Sequence, residues 1–191
     1  LSKEQWDNSY NKVIKDTAFY DSFGSSEVDK LISKIRYLTV GLDCDFIVLD
    51  HVSMVVSGLD TDERKTLDIL MTKLRQLVEN TGVGIICISH VRRGNKSKSF
   101  NEGEAISLTD LRGSASIEQL SDIVIACERD QQAEEGSNVT QIRLLKNRPF
   151  GDVGACGHAK YHSDTGRLLP HDFEPQQAVN PFADDDNITD I

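Results

Sequence analysis

No apolar run in this chain approaches the ~18 residues of a membrane-spanning helix, and no charged start followed by an apolar stretch marks a signal peptide. Cysteine is scarce: Cys44, Cys87, Cys127 and Cys156 are the only four, and no two form a Cys-x-x-Cys pair. That excludes the common zinc-module spacings and a disulfide framework. Cys44, Cys87 and Cys127 lie in or beside apolar runs, the setting of buried free thiols in a reducing compartment. Internal repeats are absent. Lys and Arg stop at Arg167, while Asp172, Glu174, Asp184, Asp185, Asp186 and Asp190 follow. These six acids carry more than half of the net charge of −10, leaving a body at −4 and an acidic tail of the kind that contacts partners. Also missing is any Gly-x-x-x-x-Gly-Lys-Ser/Thr, the loop whose backbone amides cradle nucleotide phosphates. The first residue is Leu, not Met, so the chain reads as a piece of something longer or a processed product.

What is present suits one soluble globular domain with its own core: 191 residues, 38% hydrophobic and 27% charged. Residues 2 to 15 read as a helix with a Ser2–Gln5 capping box and Trp6, Tyr10, Val13 and Ile14 near one face. Thr17 to Asp21 reads as a short strand. Ser25 or Ser26 caps a second helix, with Val28, Leu31, Ile32, Ile35 and Leu38 at the 3.6 period and Gly41 closing it. Phe46-Ile47-Val48-Leu49 is a continuous apolar run ending on Asp50, expected to be a strand buried on both faces. A loop over Val55 to Thr61 leads to a long helix that Asp60, Thr61 and Asp62 open. Leu67, Leu70, Met71, Leu74, Leu77 and Val78 line it, and Gly82 ends it. Val83 to Ser89 is a second apolar strand, ending at His90. Residues 91 to 114 form a polar loop with Arg92, Arg93, Lys96 and Lys98. Strands follow at Ile123 to Cys127, Thr140 to Leu145 and Ala155 to Tyr161, joined by turns at Glu135–Asn138 and Asp164–Gly166. Strand–helix alternation in the first part predicts parallel pairing, and the short turns in the second predict an antiparallel extension. Disorder is expected from His171 onward.

Four motifs fall in order: Leu49-Asp50-His51, Ile88-Ser89-His90 with the basic loop behind it, Asp110-Leu111-Arg112-Gly113-Ser114, and Lys146-Asn147-Arg148-Pro149-Phe150-Gly151. Together they resemble the helicase half of bacteriophage bifunctional primase–helicases. Those belong to the DnaB-type, RecA-like hexameric replicative helicases, with the mitochondrial helicase Twinkle as a relative. The resemblance runs from about residue 17 to about residue 170. It implies an α/β fold: a RecA-like P-loop NTPase core with a mainly parallel central sheet and antiparallel C-terminal strands. Residues 1–170 would be the C-terminal part of that domain and 171–191 a disordered acidic tail. The P-loop and the glutamate that orients the attacking water would lie upstream of Leu1.

The resemblance also implies roles. Asp50 is similar to the Walker B acid that holds Mg²⁺, a hard ion that takes oxygen ligands. His90 is similar to the sensor of the γ-phosphate; an imidazole can donate to phosphate while its other nitrogen is held. Arg148, with Lys146 as partner, is similar to the arginine finger offered to the neighbouring subunit's nucleotide. Arg129 and Tyr161 are similar to the pair that sandwiches the nucleotide base. Arg92, Arg93, Lys96, Lys98, Arg112 and Gly113 are similar to the DNA-facing groups; the cations suit backbone phosphates of single-stranded DNA. Glu118 stands where some phage relatives carry a basic residue. The implied activity is 5′–3′ unwinding by a hexameric or heptameric ring, driven by Mg²⁺ with ATP or dTTP, in the host bacterial cytoplasm. The implied partner of the tail over 172–191 is a replicative DNA polymerase, although the phage tails end in an aromatic residue and this one ends in Ile191. Two other readings stay open: a recombinase-type or clock-type RecA-like ATPase, and a non-enzymatic DNA-binding or partner-binding module. On its own the chain is expected to bind nucleotide poorly and not to hydrolyse it.

Overall fold

The computed structural model describes residues 2–20, 27–53, 62–91, 99–111 and 115–172. The expected loop over Val55 to Thr61, the caps Ser25 and Ser26, the basic residues Arg92, Arg93, Lys96 and Lys98, Arg112 with Gly113, and the tail from residue 173 lie outside them.

Helix α1 (Lys3–Ile14) starts on the capping box the sequence announces, with Gln5 N donating to Ser2 Oγ and Ser2 N to Gln5 Oε1. It buries nothing. Trp6 and Tyr10 stack on each other, ring centroids 5.0 Å apart, on an exposed face. The strand expected at 17 to 21 is not formed over residues 17 to 20. A strand exists only through pairing, and Phe19 and Tyr20 stand exposed with no neighbouring ladder among the described residues.

Helix α2 (Val28–Arg36) begins at Glu27, which makes no side-chain cap bond, and runs into a π turn over Tyr37–Gly41. Leu31 and Ile35 are buried, as the periodicity requires. Helix α3 (Glu63–Thr81) is opened by Asp62, whose Oδ1 accepts from the backbone amides of Arg64 and Lys65, and closed by Gly82 at φ 75°. Asp29 of α2 and Lys73 of α3 form an ion pair. Leu67, Leu70, Met71, Leu74 and Leu77 form the spine of the core, joined by Leu31, Ile35, Ile47, Val52, Val83 and Ile117.

Strands β1 (Phe46–Leu49) and β2 (Gly84–Cys87) pair in parallel through the α3 crossover, in the register Phe46–Gly84, Ile47–Ile85, Val48–Ile86 and Leu49–Cys87. Alternation sends Ile47, Leu49, Ile85 and Cys87 toward α3. Phe46 and Val48 are 69% and 62% exposed, so burial on both faces is not observed. The cause is the sheet itself. Among the described residues it has two strands, and no helix covers its second face. Gly84 lies under the Phe46 ring, where a Cβ would stand 2.5 Å from a ring carbon, so a larger residue there would displace the ring.

Helix α4 (Ala115–Leu120) packs Ile117 into the core and leads to a separate antiparallel meander. Its strands are β3 (Ile123–Glu128), β4 (Val139–Asn147), β5 (Gly154–His162) and β6 (Arg167–His171), in that order. The mainly parallel sheet that was expected is thus a parallel pair beside a larger antiparallel sheet. β6 was not anticipated; its Pro170 is tolerated because β6 is an edge strand. Cys127 is exposed rather than buried, since Ala126 and Glu128 take the covered face of β3. All four thiols are free. The buried Glu128 accepts from Arg143 Nη1 at 2.8 Å and from Ile106 N at 2.7 Å, which pairs its charge and ties the segment after the basic loop to β3. No helix among the described residues is long and apolar enough to cross a membrane.

The division between buried and exposed apolar helices gives a direct test. Leu70→Ala, at a fully buried position, is expected to lower the unfolding free energy by about 2–5 kcal/mol. Trp6→Ala, on the open face of α1, is expected to change it by less than about 0.5 kcal/mol. Urea titration of the two variants checks both.

Candidate functional site

The parallel pairing continues past the last ladder pair of β1 and β2. Ile88 N donates to Leu49 O, and Val52 N donates to Ile88 O, both at 3.0 Å. These two bonds hold Asp50-His51 alongside Ser89-His90 at the C-terminal edge of the sheet. Asp50 and His90 are exposed there. His51 packs edge-on against His90, ring centroids 4.2 Å apart at 72°. The Asp50–His51 peptide bond is cis. His51 Nδ1 and Ser53 Oγ are buried without a hydrogen-bond partner among the described residues. The C-terminal edge of parallel strands is where open α/β sheets bind ligands. An exposed carboxylate beside an imidazole there offers one hard acceptor and one donor. No group of three or more His, Cys, Asp or Glu residues gathers around a metal position among the described residues. An ion held by Asp50 would therefore complete its shell with water and phosphate oxygens, the habit of Mg²⁺.

Lys146 and Arg148 form a second cluster at the end of β4. They are two positions apart and reach to the same side, as strand alternation requires. Both grip the C-terminal end of α4, where helix carbonyls are free. Lys146 Nζ donates to the carbonyls of Glu118 and Gln119. Arg148 donates to the Gln119 carbonyl through Nη2 and to Asp122 Oδ1 through Nη1 at 3.0 Å. Asp122 Oδ2 also accepts from Arg75 Nη1 of α3 at 2.6 Å, and Arg75 Nε donates to Glu79 at 2.9 Å. The hydrogen bonds to Glu79 and then Asp122 hold the Arg75 guanidinium still further above its ordinary pKa. Asp122 and Arg75 carried no signal in the sequence, because their partners lie 26 and 47 residues away.

Arg129 follows the end of β3 and is exposed; Tyr161, on β5, is 43% exposed. They sit two strands apart at the same end of the meander. Tyr161 shares a face with Ala159, whose partner is Thr140. Continuing the β3–β4 register by one residue sets Arg129 beside Thr140 on that same face. The two are separated by two strand spacings and by two residues along the strand, about 12 Å at the backbone. Of the expected DNA-facing groups, Arg92, Arg93, Lys96, Lys98, Arg112 and Gly113 fall outside the described residues. The flanks of those segments meet, through an antiparallel bridge between Val91 and Leu111.

A parallel β–α–β unit with polar groups at its strand ends, followed by an antiparallel meander, is a RecA-like α/β arrangement. The family model for the DnaB-like helicase C-terminal domain matches residues 1–166, and the chain belongs to that family. It is 45% identical over 172 residues to the DNA helicase/primase of Enterobacteria phage T3, across 88% of this chain and 30% of that protein. To the replicative DNA helicase DnaC of Bacillus subtilis it is 24% identical over 172 residues, across 85% of this chain and 37% of that protein. The chain therefore spans about a third of the length of these curated relatives. In fold it resembles a DnaB-like replicative helicase solved for its interactions with primase, with a TM-score of 0.70 at 19% identity over 90% of this chain and 43% of that one. A KaiC-like protein from Pyrococcus horikoshii gives a TM-score of 0.59 at 14% identity over 87% of this chain and 64% of that one.

The thiol of Cys87, at the end of β2 on the core face, is pushed up to about 11 by burial. The folded state keeps this proton more firmly than the unfolded chain, whose thiols ionise near ~8.5. The stability tied to it is present below that value and is lost as pH rises toward 11. At pH 8 about one molecule in 10³ carries the Cys87 thiolate, and the thiolate is the nucleophile. Iodoacetamide at pH 8 is expected to label the exposed Cys127 and Cys156 first and Cys87 last, read by peptide mass mapping over time.

Proposed function

We propose that the chain supplies the downstream part of the NTPase site and the DNA-facing loops of a ring-forming replicative helicase. In this reading the whole protein couples nucleotide hydrolysis to 5′–3′ movement on single-stranded DNA. The observation that carries the reading is that Asp50 and His90 both emerge, exposed, at the C-terminal edge of β1 and β2, with His51 packed against His90. Membership of the DnaB-like helicase C-terminal domain family and the likeness to the phage T3 helicase/primase support it.

Asp50 fits the ligand role for a nucleotide-bound Mg²⁺: it is an exposed carboxylate that forms no ion pair among the described residues. Bound there, Mg²⁺ with ATP or dTTP would supply charge neutralisation on the phosphates. Asp50 binds and orients that group. His90 donates to the terminal phosphate oxygen and registers its departure, with His51 fixing the ring's tilt. Arg148, with Lys146 beside it, serves the nucleotide of a neighbouring subunit, where a guanidinium fork stabilises charge on the transferring phosphoryl group. Arg129 and Tyr161 hold the base by stacking, which tolerates more than one base. Arg92, Arg93, Lys96, Lys98 and Arg112, with Gly113, meet the DNA backbone, so binding weakens steeply with salt. The P-loop and the glutamate that orients water come from upstream sequence, and the acidic tail over 172–191 is the segment proposed to engage a replicative DNA polymerase.

In the intact protein Arg148→Ala is expected to lower DNA-stimulated hydrolysis by a factor on the order of 10³ or more, with nucleotide binding largely kept. Steady-state hydrolysis beside equilibrium binding of a fluorescent nucleotide checks it. Undiminished turnover would reject the finger assignment.

A further inference from the structure

Asp122 stands in the turn between α4 and β3, and its two carboxylate oxygens are divided between two guanidinium groups. Oδ1 accepts from Arg148 at 3.0 Å and Oδ2 from Arg75 at 2.6 Å. The main chain reinforces the first pairing, since Arg148 N donates to Asp122 O at 2.8 Å. The fork of Arg148 is thereby filled twice over, by Asp122 Oδ1 on one nitrogen and the Gln119 carbonyl on the other. Carboxylate and phosphate present matching acceptors to a guanidinium fork, so the two compete for it. Arg75 fixes the competitor in place: it is anchored on α3, itself braced by Glu79, and holds the Asp122 oxygen that Arg148 does not use.

We propose that Asp122 is a positioning residue that parks Arg148 against its own subunit, and that the finger acts only in the fraction of time it is off Asp122. This rests on the reading of Arg148 as a finger for the neighbouring nucleotide. The pair is half exposed, at 45% and 43% for the two side chains. Exposed pairs of this kind are weak, so parking slows the finger without disabling it. Removing the carboxylate's charge leaves Arg148 free more of the time, and the apparent rate rises by the fraction recovered.

In the intact protein with Mg-ATP or Mg-dTTP, Asp122→Asn is expected to raise kcat without DNA about two- to five-fold, with nucleotide binding unchanged. Asp122→Glu, which keeps the charge, is expected to stay near the parent rate. In an Arg148→Ala background Asp122→Asn is expected to add nothing. A damaged structure lowers kcat and cannot produce this rise. An unchanged or lower kcat for a folded Asp122→Asn protein would overturn the inference, as would a rise that persists without Arg148. Should Asp122→Asn fail to fold, Asp122→Ser is read in the same way. Full hydrolysis by Arg148→Ala alone would instead reject the finger reading beneath it.

Discussion

The parallel pairing of Phe46–Leu49 with Gly84–Cys87 is the constraint on which the rest depends. Two strands that run the same way need a crossover, and α3 supplies it with five buried side chains on the face turned to the sheet. The register then decides which apolar residues meet the core and which chain ends emerge together. Ile47 and Leu49 turn to α3, while the continuing hydrogen bonds of Ile88 and Val52 carry Asp50 and His90 out at one edge. A slip of one residue would reverse every side chain. Gly84 beneath the Phe46 ring favours the observed register, because a larger residue opposite Phe46 would push its ring aside.

The meander beyond α4 holds the other set of chemical groups. β4 delivers Lys146 and Arg148 to the carbonyl end of α4, and Asp122 connects that end to Arg75 on α3. Helix α4 starts one residue after Asp110-Leu111-Arg112-Gly113-Ser114 in the sequence. The cations proposed for the neighbour's nucleotide and the motif proposed for DNA are thus joined by a single six-residue helix. Ile117 fixes that helix to the core at its middle.

Much of this was legible in the residues alone. Ser2 with Gln5, Asp62 before α3, Gly82 after it and the spacing of Leu67 to Val78 are local signals, and each element formed where they place it. So were the four motifs that mark the family. What escaped was non-local. Whether Phe46 and Val48 are covered depends on what lies across the sheet, and whether residues 17 to 20 form a strand depends on a partner; neither is written in the segment itself. Cys127 sits in an apolar run, yet only the pairing of β3 shows that its neighbours take the covered face. Asp122 is an ordinary acid in the sequence and becomes informative only once Arg75 and Arg148 converge on it.

The central claim is that the site is divided: Asp50 and His90 act on the subunit's own nucleotide, and Arg148 acts on its neighbour's. Mixing two inactive forms of the intact protein, Asp50→Asn and Arg148→Ala, tests this most directly. If the groups meet across a subunit interface, rings assembled from both forms contain interfaces with an unaltered Asp50 and an unaltered Arg148. At equal input these make up about a quarter of the total for a closed symmetric ring. The account predicts that DNA-stimulated hydrolysis, absent in each form alone, reappears on mixing in rough proportion. Mixed rings that assemble normally and stay inactive would contradict it.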